Sequence, residues 1–148
     1  MYQIFQTPTI TAGAYGAGDA VGGKLTFSGC PENGCIETIS IIDVDDVGAE
    51  LNLVLFRKDF TSTTDNAAFD ITPGEEDRLI GIVNFAAADY KDLGGLKVAT
   101  KGNLGLGYYL TETDTTKKGR IYAQLSTPGT PTYTSTTGLR ISLAVEQD

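Results

Sequence analysis

From residue 36 to residue 60 the chain reads IETISIIDVDDVGAELNLVLFRKDF, two runs of alternating apolar positions on either side of an acidic turn. In the first run Ile39 and Ile41 share one face while Ile42 and Val44 take the other. In the second, Leu51, Leu53 and Leu55 share a face, with Asn52, Val54 and Phe56 opposite. A period of two belongs to strands, so the stretch predicts a β-hairpin, and apolar residues on both faces predict that it is covered on both sides. The same period returns further on. Ile121, Ala123 and Leu125 oppose Tyr122 and Gln124, and Leu139, Ile141, Leu143 and Val145 alternate with Arg140, Ser142, Ala144 and Glu146 as a half-buried final strand.

Shorter strands are predicted at residues 24–27, 79–86, 96–99 and 104–110, the last two separated by Lys101-Gly102-Asn103. Between them lie turns. Residues 9–23 give a short strand and a glycine-rich turn, whose glycines serve positions of positive φ. Residues 61–79 form a long loop in which Asp65 is placed to cap a helical turn at 66–69, and Glu75, Glu76 and Asp77 favour a helix start after Pro73. Residues 87–92 predict another short turn or helix. Residues 111–119, TETDTTKKG, predict an exposed hairpin loop, and the run Ser126-Thr127-Pro128-Gly129-Thr130-Pro131 ends the strand before it. Met1 to Pro8, carrying Tyr2, Ile4 and Phe5 without a regular pattern, reads as an extended arm that docks on its own core or on a neighbour. Eight or so strands make an all-β, single-domain, jelly-roll-like β-sandwich over residues 9–148, with the extended N-terminal arm over 1–8.

Length and composition agree with that class. A chain of 148 residues is one domain long, and 18 glycines with abundant Ser and Thr suit turns and strands better than helices. Eleven Lys and Arg stand against 19 Asp and Glu, a formal net charge of -8, and Arg57, Lys58, Lys91, Lys97, Lys101, Lys117 and Lys118 are scattered among acids. Nucleic acid is therefore not an expected partner. No apolar run reaches membrane-spanning length and the N-terminus has no leader pattern, so a soluble chain without membrane association is expected.

The chain has no histidine and no tryptophan, which removes the commonest general base and metal ligand. No catalytic residue, cofactor or metal is expected. The glycine-rich turn leads into a strand where a phosphate loop would need a helix. Cys30 and Cys35 flank Pro31-Glu32-Asn33-Gly34, read as a strand connection with an Asn-Gly tip, and either join in a local disulfide or stay free thiols. Asp43, Asp45, Asp46 and Glu50 form an acidic cluster. Gly48 sits where an EF-hand loop has its glycine, but Val54 stands where its final Glu should be, so a solvated turn is favoured over calcium. The paired carboxylates lack the stacking tryptophans common in glycosidases.

Four segments, YGAGDAVGGKLTF at 15–27, LNLVLFRKDFTSTTDNAAF at 51–69, VATKGNLGLGY at 98–108 and IYAQLSTPGTPTY at 121–133, together resemble a family of tailed-bacteriophage capsid decoration, or cement, proteins. The resemblance spans much of the chain, and its most specific part is the order LVLF, DFT, DNAAF. The Cys30–Cys35 loop departs from it. It implies a β-sandwich on the outer surface of the virion head, made in the host cytoplasm, bridging major capsid protein subunits as a homotrimer. The residues expected at such contacts are Tyr2, Ile4 and Phe5 of the arm with Phe60 and Phe69 of the loop. A carbohydrate- or receptor-binding module of a phage head fibre or tail is the alternative, with Tyr108, Tyr109, Tyr122 and Tyr133 as candidates for a stacking platform; Tyr108 and Tyr109, being adjacent on a strand, cannot both belong to it.

Overall fold

The computed structural model describes residues 1–148. Ten strands form two antiparallel sheets that pack against each other: β1 (Tyr2–Gln6), β2 (Ala20–Pro31), β3 (Asn33–Asp43), β4 (Leu51–Phe56), β5 (Leu79–Phe85), β6 (Lys91–Asp92), β7 (Lys97–Lys101), β8 (Leu106–Tyr109), β9 (Lys118–Ser126) and β10 (Leu139–Gln147). Single 3-10 turns at Glu76–Arg78 and Ala87–Asp89 are the only helices. The larger sheet runs β1-β10-β3-β7-β6, with β8 pairing a second stretch of β3, and the smaller runs β2-β9-β4-β5. The all-β sandwich read from the alternation is the fold of the chain. If β6, β7 and β8 count as one interrupted strand, the two sheet orders are consistent with a jelly roll.

The alternating residues become the core because a period of two puts every second side chain on one face of a sheet. Ile39 and Ile41 of β3 with Leu139, Ile141, Leu143 and Val145 of β10 meet Phe27 of β2, Leu51, Leu53 and Leu55 of β4 and Ile121, Ala123 and Leu125 of β9, all buried. Each side chain of this size contributes about 1.5–3 kcal/mol on burial. A second, smaller cluster lies on the outer face of the four-stranded sheet, where Val54, Phe56 and Phe60 are covered by Phe69, Ile71, Leu79 and Tyr122.

The expected hairpin at residues 36–60 is not formed. β3 pairs with β10, β7 and β8, whereas β4 pairs with β5 and β9 in the other sheet. Residues 44–50 carry the chain across the sandwich, so both apolar faces reach one core from opposite sides. Coverage on both sides holds for β4 alone: outside β3, Ile42 is half-buried and Val44 exposed. The acidic turn is solvated only in part, with Asp46 exposed and its neighbours drawn in. Asp43 is only 1% exposed and its carboxylate accepts the backbone N–H groups of Asp45, Val47 and Gly48 at 2.8–3.2 Å. The carboxylate of Asp45 accepts the N–H groups of Thr134 and Ser135 and the Ser135 hydroxyl, tying the crossover to the loop before β10.

Four other local expectations change as well. The Cys30–Cys35 stretch is a corner between sheets, since Cys30 ends β2 and Cys35 lies near the start of β3. Gly34 serves close approach there, not a turn tip: a Cβ would come within 2.7 Å of both the Tyr108 hydroxyl and the Glu146 carbonyl oxygen. Asp65 caps no helix, and residues 66–69 form a turn with Asn66 at φ 63. Its carboxylate instead accepts the hydroxyls of Thr11 and Tyr15 and the N–H of Gly22, at 2.6–2.7 Å. Gly22 occupies a β-bulge at φ 78, where a Cβ would press against Pro8. Residues 9–11 form no strand, and the loop at 111–119, though largely exposed, joins strands of different sheets.

Residues 1–8 take the first of the two dockings left open by the sequence. Tyr2–Gln6 is extended and forms β1, hydrogen-bonded along β10 at the edge of the larger sheet.

Candidate functional site

The five residues expected at partner contacts fall in two separate places. In β1, Tyr2 and Ile4 turn inward onto the core, and the Lys118 ammonium donates to the Tyr2 hydroxyl while lying 3.8 Å from the ring centroid. Phe5 points the other way and is 54% exposed. Phe60 and Phe69 belong to the cluster on the opposite sheet. Phe60 is only 5% exposed, stacked on Phe56 at 3.8 Å between ring centroids with the Lys24 ammonium 5.2 Å above it. It holds the 57–78 loop down and offers no contact surface, because the apolar face of β4 needs a cover. Phe69 is half-buried in the same cluster.

Phe5 stands at the end of a flat outer face. Register places Phe5, Ser142, Ser40 and Thr100 side by side on four adjacent strands, with the Ser40 and Thr100 hydroxyls 2.9 Å apart. The rows on either side are Gln3, Ala144 and Thr38, and Arg140, Ile42 and Val98. Arg140 is the one charged residue among these ten. At the centre of this face Ser142, Ala144, Ser40 and Thr38 are small, and beyond Val98 the last row reaches Lys91 of β6.

The four tyrosines do not assemble a platform. Tyr133 is 1% exposed and packs edge-on against Tyr15, and Tyr108 is buried in the same core. Tyr122 is half-buried in the outer cluster beneath Lys24, and only Tyr109 stands exposed. Both cysteines are free. Cys30 is buried with its thiol donating to the Phe27 carbonyl, and burial pushes both thiols up to about 11, so neither is a thiolate at neutral pH. Asp43, Asp45, Asp65 and Asp114 are engaged as structural acceptors, and no three His, Cys, Asp or Glu side chains converge to hold a metal ion.

Two carboxylates fasten the loop that covers the outer cluster. The side-chain bond from Lys24 holds Asp59 below its ordinary 3.8, and the Thr61 backbone N–H holds Glu75 below 4.5. A depressed folded-state pKa contributes stability above the unfolded value and loses it as pH falls through the folded one. Acid is therefore expected to loosen residues 57–78 below those values while the core strands hold. Hydrogen-exchange protection at Phe60 and Thr61, corrected for the intrinsic rate, should fall with pH before that of Leu53 or Ile41; simultaneous loss would contradict this.

Folding also gathers cations that the sequence left scattered. A cleft of about 410 Å³ opens beside β2 and β9 on the outer side of the smaller sheet, lined by Arg57, Lys118, Arg120 and Tyr122 among others. A second, of about 210 Å³, adjoins it across Arg57 and adds Lys58 and Arg78. No periodic signal in the chain links these five residues, which come from three separate stretches.

No protein-family model matches the chain, and no curated protein matches it.

Proposed function

We propose that the chain is a capsid decoration protein, bound to the outside of a tailed-phage head and bridging major capsid protein subunits, with a homotrimer as its working form. The flat outer face of the six-stranded sheet carries this reading. Its middle is uncharged on a molecule of net charge -8, and Phe5 projects beside it, so apolar and small polar surface is offered on a chain that is acidic in sum. The resemblance of the four sequence segments supports the same reading, as does a strand order consistent with a jelly roll. A filled core and anchored loops suit a part that must stay rigid while weak contacts add up over many copies.

Removing residues 1–6 would strip β1 from the sheet, so a point substitution is the cleaner test. Phe5→Asp is expected to change unfolding stability by less than about 1 kcal/mol, as an exposed site should, and to lower occupancy on heads that lack the protein. Wild-type occupancy by Phe5→Asp would remove this face from the proposal. The glycan-binding alternative has no observation in its favour, since the tyrosines that would carry it are dispersed.

A further inference from the structure

The outer side of the four-stranded sheet carries a second feature that the decoration reading does not use. The two adjoining clefts are lined by five cations, Arg57, Lys58, Arg78, Lys118 and Arg120, against three carboxylates, Glu112, Asp114 and Asp77. On a chain of net charge -8 this is a local inversion of sign. Three of these cations are already partnered: Lys58 lies 3.7 Å from Glu112, Arg78 lies 3.5 Å from Glu75, and the Lys118 ammonium donates to the Tyr2 hydroxyl. Arg57 and Arg120 have no carboxylate within salt-bridge distance. Arg57 donates only to the backbone carbonyl of Asp77, which fixes its guanidinium in the wall shared by the two clefts. Asp114 is spent on its own turn, accepting from Thr116 and Lys118. Unpaired guanidiniums facing a polar cleft suit bidentate recognition of carboxylates.

We infer that these clefts bind an acidic, extended segment of a partner protein, with Arg57 and Arg120 as its principal contacts. Charge complementarity chooses the ligand class, and shape chooses among sources. Alternate side chains of an extended segment repeat about every 7 Å, so successive carboxylates on one side of it can enter the two clefts that meet at Arg57. A sugar acid would want an open aromatic face, whereas the Tyr122 ring packs against the Phe56–Phe60 cluster under Lys24. Nucleic acid would need a longer run of cations along its phosphates than five residues interleaved with three carboxylates provide. Assigning the segment to the coat lattice rests on the decoration reading; the cleft itself does not. With the flat face on one sheet and the clefts on the other, a single subunit could hold two neighbours.

The test uses a hexaglutamate peptide and no capsid, so the cleft and the decoration reading can fail separately. In amide NMR titrations, hexaglutamate should saturably shift Ser28, Gly29, Gly119 and Arg120, and hexaglutamine should not. The double variant Arg57→Gln/Arg120→Gln, both exposed positions, should keep the spectrum elsewhere and bind about tenfold more weakly. Raising salt from about 50 to about 300 mM should also weaken binding. No shift at the cleft, or equal binding by the double variant, would overturn the inference. Shifts there with a hyaluronate hexasaccharide but not with hexaglutamate would overturn the choice of a protein segment.

Discussion

Phe27→Ala is expected to lower the unfolding free energy by about 3–5 kcal/mol, a large share of the roughly 5–15 kcal/mol of a typical domain. Phe27 is fully buried on β2, an edge strand of the smaller sheet, and its ring lies in the cluster that joins the two sheets. β2 meets β9 with register shifts on either side of the Leu25–Ser28 pairing. Phe27 sits inside an unbroken run of pairing, Leu25–Ser28 against Arg120–Ala123, so closing a cavity there would break that run and little relaxation is expected. Urea denaturation followed by circular dichroism gives the value directly. A loss below about 1 kcal/mol, the scale of a surface change, would mean that Phe27 does not hold the sheets together.

Asp43→Ala comes next in size, at about 2–4 kcal/mol, because it strands three backbone N–H donors in the crossover between β3 and β4. The Gly48 N–H lies in the buried part of this knot, so water cannot fully replace the carboxylate. Asp43→Asn should cost less, since an amide oxygen keeps one acceptor in place. The two substitutions differ in a further respect. Burial, ahead of the three N–H bonds, raises the Asp43 pKa from 3.8. A raised folded-state pKa means that stability is greatest below the unfolded value and is lost as pH rises through the folded one. The stability of Asp43→Asn relative to wild type should therefore rise with pH across the carboxylate range and then level off. A difference that fell with pH would show that the N–H bonds outweigh burial.

Which strands exist was legible from single residues and their neighbours. Leu51, Leu53 and Leu55, Ile121, Ala123 and Leu125, and the Leu139–Val145 series all lie where alternation places them. Which sheet each strand joins was not, because alternation records a buried face and not the partner across it. The 36–60 stretch shows this most directly: its two runs satisfy a hairpin and a crossover equally. A buried Asp43 distinguishes them, yet its burial depends on where the chain goes next. Asn33-Gly34 has a turn signature, while the need for glycine at 34 comes from Tyr108 and Glu146, far along the chain. Asp65 looks like a cap from its neighbours and serves Thr11, Tyr15 and Gly22 instead. In the candidate sites, Phe5 was legible as a large apolar residue of the N-terminal segment and is exposed, the cover that Phe60 gives Phe56 had no signal in its neighbours, and the convergence of Arg57 with Arg120 had no local trace.

Binding to heads is the direct test of the proposed function. Purified wild-type protein, its mass first measured by light scattering, is mixed with heads that lack it and sedimented. The expected result is a trimer that co-sediments to a fixed ratio with the coat protein and raises the temperature at which the heads break. A protein that stays in the supernatant at every concentration, leaving head stability unchanged, would contradict it.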